Sequence, residues 1–306
     1  MRPAAARGAD PLSTPPAPPV PASVREAWLL GREHLLASGV EAAGLEAEVL
    51  LRHVLGLTRA ALYLAWERPL DAAAWGRFCA LLEERGRGRP VAYLVGHREF
   101  MGLELRVDGR VLIPRPETEV LVEFLLHVLA DTPAARVIDV GTGSGAIAVA
   151  LARFLPQVRV LAVDISAEAL AVARENAARH QVADRITFAR GDLLAPAPRQ
   201  GWNQVDAIAS NPPYVDAASA AALPREVRDH EPAVALLAGA DGTAFHARLA
   251  HEGPPLLRPG GWLVVEVGAG QAQAVSELFA RAGTLEEIRT INDLAGIARV
   301  VAGRRR

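Results

Sequence analysis

The residues best equipped to do chemistry are Asn211-Pro212-Pro213-Tyr214, which follow a short apolar run, Val205 to Ala209, ending in Ser210. A residue that precedes a proline is held in extended geometry, so the backbone of Asn211 is nearly fixed. Neither proline has an N–H to donate, yet both keep a carbonyl that accepts. The Asn211 side-chain oxygen and a neighbouring backbone carbonyl are therefore two acceptors in a stiff frame. They match the two hydrogens of a planar NH2 group, and Tyr214 can cover the face of that plane. The tetrapeptide reads as a site for an amide or an exocyclic amine. The plainer account is a Pro-rich stop after a strand.

A second constellation lies upstream, in Asp139-Val140-Gly141-Thr142-Gly143-Ser144-Gly145-Ala146 at the end of an apolar run. Glycines after a strand let the backbone turn tightly and approach a ligand, and the helix that follows offers free N–H groups to an anionic end. A cofactor belongs here. Gly141, Gly143 and Ala146 also satisfy the dinucleotide pattern, so the loop alone does not separate a nicotinamide enzyme from a methyltransferase. Asp164 ends the next strand about 20 residues further on, where an acid takes ribose hydroxyls in either class. Gly191-Asp192-Leu193, after the third strand, is a place for contacts to an adenine ring or an ordinary turn.

These residues need elements to hold them. From Arg136 onward strands alternate with helices, which implies an α/β fold with a parallel sheet and helices on both faces. Strands are expected over Val137 to Val140, Val158 to Val163, Ile186 to Ala189, Val205 to Ala209, Trp262 to Val267, Glu287 to Ile291 and Ala298 to Ala302. Ahead of them, Ser23 with Glu26 has the spacing of a capping box. A helical stripe runs from there to Gly39, and Leu45 to Leu55, Arg59 to Leu64 and Asp71 to Glu84 repeat the pattern. Domain boundaries follow: a Pro/Ala-rich leader over 1–20, a helical domain over 21–90, a β-hairpin linker over 91–116 and a catalytic domain over 117–306. The hairpin is expected to turn at Asp108-Gly109 between Phe100 to Val107 and Arg110 to Ile113. Trp28, Trp66 and Trp75 are expected in cores and interfaces. Pro116 suits a first helical position, with Glu117 and Glu119 favourable in the first turn. Arg115 between two prolines is held in one place.

Composition bounds the rest. With 306 residues, 51% hydrophobic and 22% charged, the chain has material for two domains, and a lone Cys79 excludes internal disulfides. No signal peptide or long uncharged apolar span is visible, which points to the cytoplasm and away from membranes. A net charge of −2 gives no global pull toward nucleic acid, and the basic ending Arg304-Arg305-Arg306 reads as a solvated tail. No metal-binding spacing is present, and nothing demands more than a monomer.

The order of parts separates the readings: Gly-rich loop, ribose acid, acidic turn, then the Asn-Pro-Pro-Tyr clamp. A dehydrogenase has no use for a grip on NH2, whereas an enzyme that methylates nitrogen needs one. The chain resembles the bacterial release-factor glutamine methyltransferases, the PrmC/HemK family. The resemblance runs over about residues 23 to 302 and rests on Ile113-Pro114-Arg115-Pro116-Glu117-Thr118-Glu119, Asp139 to Ala148, Val163-Asp164-Ile165-Ser166 and Ser210 to Tyr214. Glu226-Val227, His230-Glu231-Pro232, Asp241-Gly242 and Glu266-Val267-Gly268 with Gln271 agree as well. Leu193 departs from relatives that place an aromatic against the adenine. The resemblance implies a class I methyltransferase fold, Rossmann-like with a mostly parallel seven-stranded sheet, and S-adenosyl-L-methionine as donor, leaving S-adenosyl-L-homocysteine. It implies as acceptor the glutamine of the Gly-Gly-Gln motif in class I peptide-chain release factors, held with help from the helical domain. Carried onto this sequence, Gly141, Thr142, Gly143, Ser144, Gly145, Asp164, Asp192, Leu193 and Asn211 would bind the cofactor. Asn211, Pro212, Pro213, Tyr214 and Arg115 would hold the acceptor. Three rivals stand beside this reading. A nucleic-acid amino methyltransferase acting on adenine N6 or guanine N2 is the runner-up, since an exocyclic amine presents the same two hydrogens. A nicotinamide oxidoreductase leaves the clamp unexplained, and a non-catalytic adaptor leaves the whole set without a use.

Overall fold

The structure, a computed structural model, describes residues 20–306. The leader expected over 1–20 lies outside the described residues except for Val20. The chain divides between Arg87 and Gly88 into two compact units.

The first unit contains α1 (Val24–Ala37), α2 (Ala43–Leu55), α3 (Arg59–Leu64) and α4 (Ala72–Gly86). Three of these start on side-chain caps that satisfy orphan N–H groups. Ser23 Oγ accepts from Glu26 N, Thr58 Oγ1 from Ala61 N at 3.2 Å and Asp71 Oδ1 from Ala74 N at 2.8 Å. Glu26 reaches back to Ala22 N rather than to the N–H of its cap residue. Leu35, Leu50, Leu51, Leu62 and Phe78 are fully buried. At Gly31, a Cβ would stand 2.6 Å from Phe78 Cζ, so the absence of a side chain lets the α4 ring pack against α1. Trp75 is buried beside Phe78, whereas Trp28 and Trp66 are half-buried and stack with ring centroids 5.5 Å apart.

The second unit opens with α5 (Val91–Val95) and the hairpin β1 (His97–Phe100) and β2 (Leu103–Arg106). The turn falls at Met101-Gly102, not at Asp108-Gly109 as the sequence suggested. Both Met101 and Gly102 have positive φ, 52° and 71°, the requirement of a two-residue turn that suits the strand twist. This register buries Phe100 and Leu105. Asp108 instead ties its own loop, accepting from Arg110 N, Nε and Nη2. Val107, Val111 and Ile113 are thereby free to pack with Tyr93 and Val172.

After α6 (Pro116–Leu129) come β3 (Arg136–Val140), α7 (Ala146–Phe154), β4 (Arg159–Asp164), α8 (Ala167–Arg179), β5 (Ile186–Arg190) and β6 (Val205–Ser210). Then follow α9 (Arg225–His230), α10 (Ala233–Leu236), α11 (Ala244–Glu252), β7 (Leu257–Glu266), α12 (Ala272–Arg281), β8 (Leu285–Asn292) and β9 (Ala298–Arg305). The seven strands β3 to β9 form one sheet in the order β5-β4-β3-β6-β7-β9-β8. The first five are mutually parallel, β9 runs antiparallel to β7, and β8 antiparallel to β9. Alternate strand residues point to opposite faces. Val137, Val160 and Val264 join Leu121, Leu125 and Leu151 in one core, while Ile138, Leu161 and Val265 join Leu249, Val275 and Phe279 in the other. β7 begins earlier than expected, at Leu257, because its pairing with β6 jumps at Val205/Ala207 and leaves Arg258 to Gly261 as an irregularity. The strand order turns back at β3, which lies between β4 and β6. In parallel sheets that reversal opens a crevice at the carboxyl ends of the strands. Among the described residues no helix is long and apolar enough to cross a membrane.

Candidate active site

Two loops meet at that crevice because β3 and β6 pair in register, with Val140 opposite Ser210. Ser210 Oγ donates to Val140 O at 2.8 Å and pins the two strand ends together. Residues 70 positions apart are thereby held in one place.

The loop after β3 is shaped by its glycines. Gly141, Gly143 and Gly145 have φ of 71°, 54° and 82°, a region in which a side chain is strained. At Gly145 a Cβ would also stand 3.1 Å from Ala173 Cβ, so glycine there lets α7 start against α8. Asp139, fully buried in β3, organises the loop from beneath. Its Oδ2 accepts from Thr142 Oγ1 at 2.6 Å and from Ala148 N at 3.2 Å. Its Oδ1 is buried with no partner among the described residues. Burial pushes this carboxyl up to about 7, against the two hydrogen bonds. Asp164, at the end of β4, accepts from Gly143 N at Oδ2 and from Ser166 N at Oδ1, both at 2.9 Å. Both of its oxygens keep acceptor capacity. Desolvation raises its pKa as well.

A cavity lies over these groups. Gly141, Gly143, Asp164, Asp192, Leu193 and Asn211 line it, and so does Pro213. Thr142, Ser144 and Gly145, expected from the sequence to touch a cofactor, do not line it. Thr142 spends its hydroxyl on Asp139, and the Ser144 carbonyl accepts from Asn176 Nδ2 at 2.8 Å. Asp192 borders the cavity while its carboxylate holds Arg248 in a two-point pair at 3.0 Å. Leu193 has φ of 44°, and at Gly191 a Cβ would stand 2.3 Å from Pro196 Cγ, so this turn admits little else. Val111, Leu112 and Phe245 complete an apolar wall that the sequence did not disclose, since each only flanks a motif stretch and none carries a polar group that would single it out. The positive-φ glycines, an acid held by two N–H groups and a buried carboxylate oxygen without a partner fit a cofactor with a ribose and an amino-acid end.

A second cavity adjoins the first, with Asn211 on the border of both. Arg115, Tyr214, Leu223 and Val227 line it. The Asn211 amide is tied on one side, Nδ2 donating to Thr118 Oγ1 at 3.0 Å. Its Oδ1 has no hydrogen-bond partner among the described residues. Burial pushes the Tyr214 phenol up to about 12, so it stays protonated near neutral pH. The Tyr214 carbonyl accepts from Gln271 Nε2 at 2.9 Å, which fixes the backbone just after the prolines. Pro212 is buried and borders neither cavity with its side chain. Arg115 Nη2 pairs with Glu231 Oε1 at 2.6 Å, and Glu231 Oε2 accepts from Ile113 N at 3.2 Å. Glu231, Glu266, Thr118 and Asp139 were visible only as members of motif stretches. A charged residue inside an apolar strand, as at Asp139 and Glu266, is the sequence signal that marks two of them.

Known proteins are similar to this chain in both units. Residues 26–96 match the family described as PrmC N-terminal domain, and residues 118–227 the Methyltransferase small domain. The release factor glutamine methyltransferase of Moorella thermoacetica is 44% identical over 284 residues, 93% of this chain and 99% of that protein. The one from Geobacter sulfurreducens is 44% identical over 273 residues, 89% of this chain and 93% of that protein. Among solved structures, the hMettl16 catalytic domain in complex with a 3′UTR hairpin aligns with a TM-score of 0.55 at 16% identity. It covers 76% of this chain and 80% of that one, a likeness of fold alone.

Proposed function

Since the chain belongs to the release factor glutamine methyltransferase family, we propose that its two adjoining cavities hold methyl donor and acceptor on either side of Asn211. The protein is an enzyme that transfers a methyl group from S-adenosylmethionine to the side-chain amide nitrogen of the Gly-Gly-Gln glutamine in class I release factors. The curated relatives do not favour the nucleic-acid alternative. The observation that supports the assignment of roles is the position of Asn211, which borders both cavities with its oxygen unengaged.

In this reading Gly141 and Gly143 let the backbone approach the methionine end of the cofactor, and Asp164 accepts from the ribose hydroxyls. Asp192 and Leu193 border the adenine, against an aliphatic rather than an aromatic wall. When bound, S-adenosylmethionine supplies an electrophilic methyl group on its sulfonium. Asn211 Oδ1 and the Pro212 carbonyl take the two amide hydrogens of the glutamine. An amide nitrogen is a poor nucleophile because its lone pair is delocalised. Two acceptors on its hydrogens return electron density to nitrogen and stabilise the positive charge that grows there. Orientation alone is worth roughly 7 to 11 kcal/mol in favourable cases. Tyr214, protonated near neutral pH, covers the amide plane instead of abstracting a proton. The proton leaves after transfer. Arg115, steadied by Glu231, borders the acceptor side. The enzyme acts as a monomer in the cytoplasm on a protein substrate.

The test is methyl transfer from labelled S-adenosylmethionine to a purified class I release factor, to the same factor with its Gly-Gly-Gln glutamine replaced, and to bulk DNA and RNA. Label on the intact factor alone is expected. Label on nucleic acid with none on the factor would move the enzyme to the runner-up class.

A further inference from the structure

Behind Asn211 runs a short buried chain of hydrogen bonds with no part in the roles assigned so far. Glu266, at the end of β7, is 1% exposed, and Thr118, in the first turn of α6, is 4% exposed. Thr118 Oγ1 donates to Glu266 Oε2 at 2.5 Å and accepts from Asn211 Nδ2 at 3.0 Å. A hydroxyl has one proton to give. While Glu266 is ionised it only accepts, so the Thr118 proton is committed to it. Thr118 can then only accept from Asn211, and the amide must present nitrogen to Thr118 and oxygen to the cavities. If Glu266 carries a proton it can donate to Thr118, whose own proton is released toward Asn211. The amide is then free to turn over and present NH2 to an acceptor that also presents NH2, which is a mismatch of donors.

We propose that Thr118 and Glu266 are positioning residues whose proton order fixes the Asn211 amide with its oxygen toward the acceptor nitrogen. The inference rests on the reading of Asn211 as the clamp. The sequence separations, 93 residues for one bond and 148 for the other, mean that three elements must be packed before the clamp has a direction. Burial pushes the Glu266 carboxyl up to about 7, opposed by its bond to Thr118. Several charged or titratable groups face it. Glu117 of α6 raises its pKa, while Arg299 of β9 and Arg115 lower it. Tyr214 is close enough for Glu266 to raise the pKa of its phenol, and His246 of α11 sets Nε2 2.8 Å from the Glu266 carbonyl oxygen. Ionisation of this carboxyl near neutrality would make turnover depend on pH without touching either substrate.

The experiment compares wild type with Thr118→Val, Thr118→Ser, Glu266→Gln and Asn211→Ala in methyl transfer to a class I release factor. It reads kcat, KM for the factor, the dissociation constant of S-adenosylmethionine and the pH profile of kcat. Thr118→Val is expected to lower kcat about tenfold or more, with KM and cofactor affinity within about twofold, the signature of lost transition-state alignment. Thr118→Ser restores most of that loss. The wild-type profile falls as pH drops through about 7, and the fall is absent in Glu266→Gln, whose side chain does not titrate there. A wild-type kcat in Thr118→Val, or an unchanged acid limb in Glu266→Gln, overturns the proposal. If Thr118→Val does not fold, the Glu266→Gln profile still decides. Asn211→Ala separates the two readings: full activity there sinks the clamp itself, whereas loss there with Thr118→Val unaffected sinks only the positioning chain.

Discussion

At the scale of single residues, the site sets a division of labour that substitution can expose. Asn211→Ala removes the acceptor between the cavities and leaves the glycine loop and Asp164 intact. Methyl transfer is expected to vanish while calorimetry finds S-adenosylmethionine bound nearly as before; comparable loss of cofactor affinity would mean that Asn211 acts elsewhere. Asp164→Ala should do the reverse first, weakening cofactor binding about tenfold or more, because a charge-assisted hydrogen bond is worth roughly 1.5–3 kcal/mol. It also frees Gly143 N and Ser166 N, so the loop after β3 loosens as well. Glu266 makes the stability of the fold depend on pH. Its carboxyl titrates at about 7 in the folded chain against 4.5 in the unfolded one. Between those values the folded state keeps a proton that the unfolded state has lost, so stability falls as pH rises through the window. The loss is on the order of 3 kcal/mol. Thermal melts at about pH 5 and about pH 8 should show Glu266→Gln gaining relative to wild type at the higher pH.

At the scale of elements, the site depends on contacts that lie outside it. Arg115 and Glu231 bind the segment before α6 to the segment between α9 and α10, with the Glu231 side chain wholly buried. Arg115→Ala leaves that carboxylate with Ile113 N as its one hydrogen-bond partner among the described residues, and the expected cost is about 3 kcal/mol. Adding Glu231→Gln should return part of it, which chemical denaturation can measure; no recovery would mean that Arg115 stabilises by some other contact. In the first unit, Gly31 is the point where α1 and α4 approach. Gly31→Val drives a side chain into the Phe78 ring and should destabilise that unit by about 1–3 kcal/mol.

At the scale of the whole molecule, both cavities are lined by residues of the second unit alone, from Arg110 to Phe245. Residues 88–306 produced separately are expected to bind S-adenosylmethionine with about the affinity of the full chain. Loss of that binding would show that the first unit contributes to the cofactor site. The near-neutral charge agrees with a protein substrate, since nothing in the overall balance draws the chain to a polyanion.

Much of this was legible from the chain read in order. Alternating strand and helix patterns have a local period, and glycines before a helix and an Asn before two prolines restrict their own backbones, so the sheet and the positions of Gly141, Asp164 and Asn211 could be read without a fold. Local patterns were less decisive at the hairpin, where two Gly-containing turns compete. Core packing of Phe100 and Leu105 chose Met101-Gly102 over Asp108-Gly109. What no stretch of sequence could carry is the direction of the Asn211 amide. That direction comes from Thr118 and Glu266, which are distant along the chain, meet only when α6 and β7 are both packed beside β6, and act through the allocation of one hydroxyl proton.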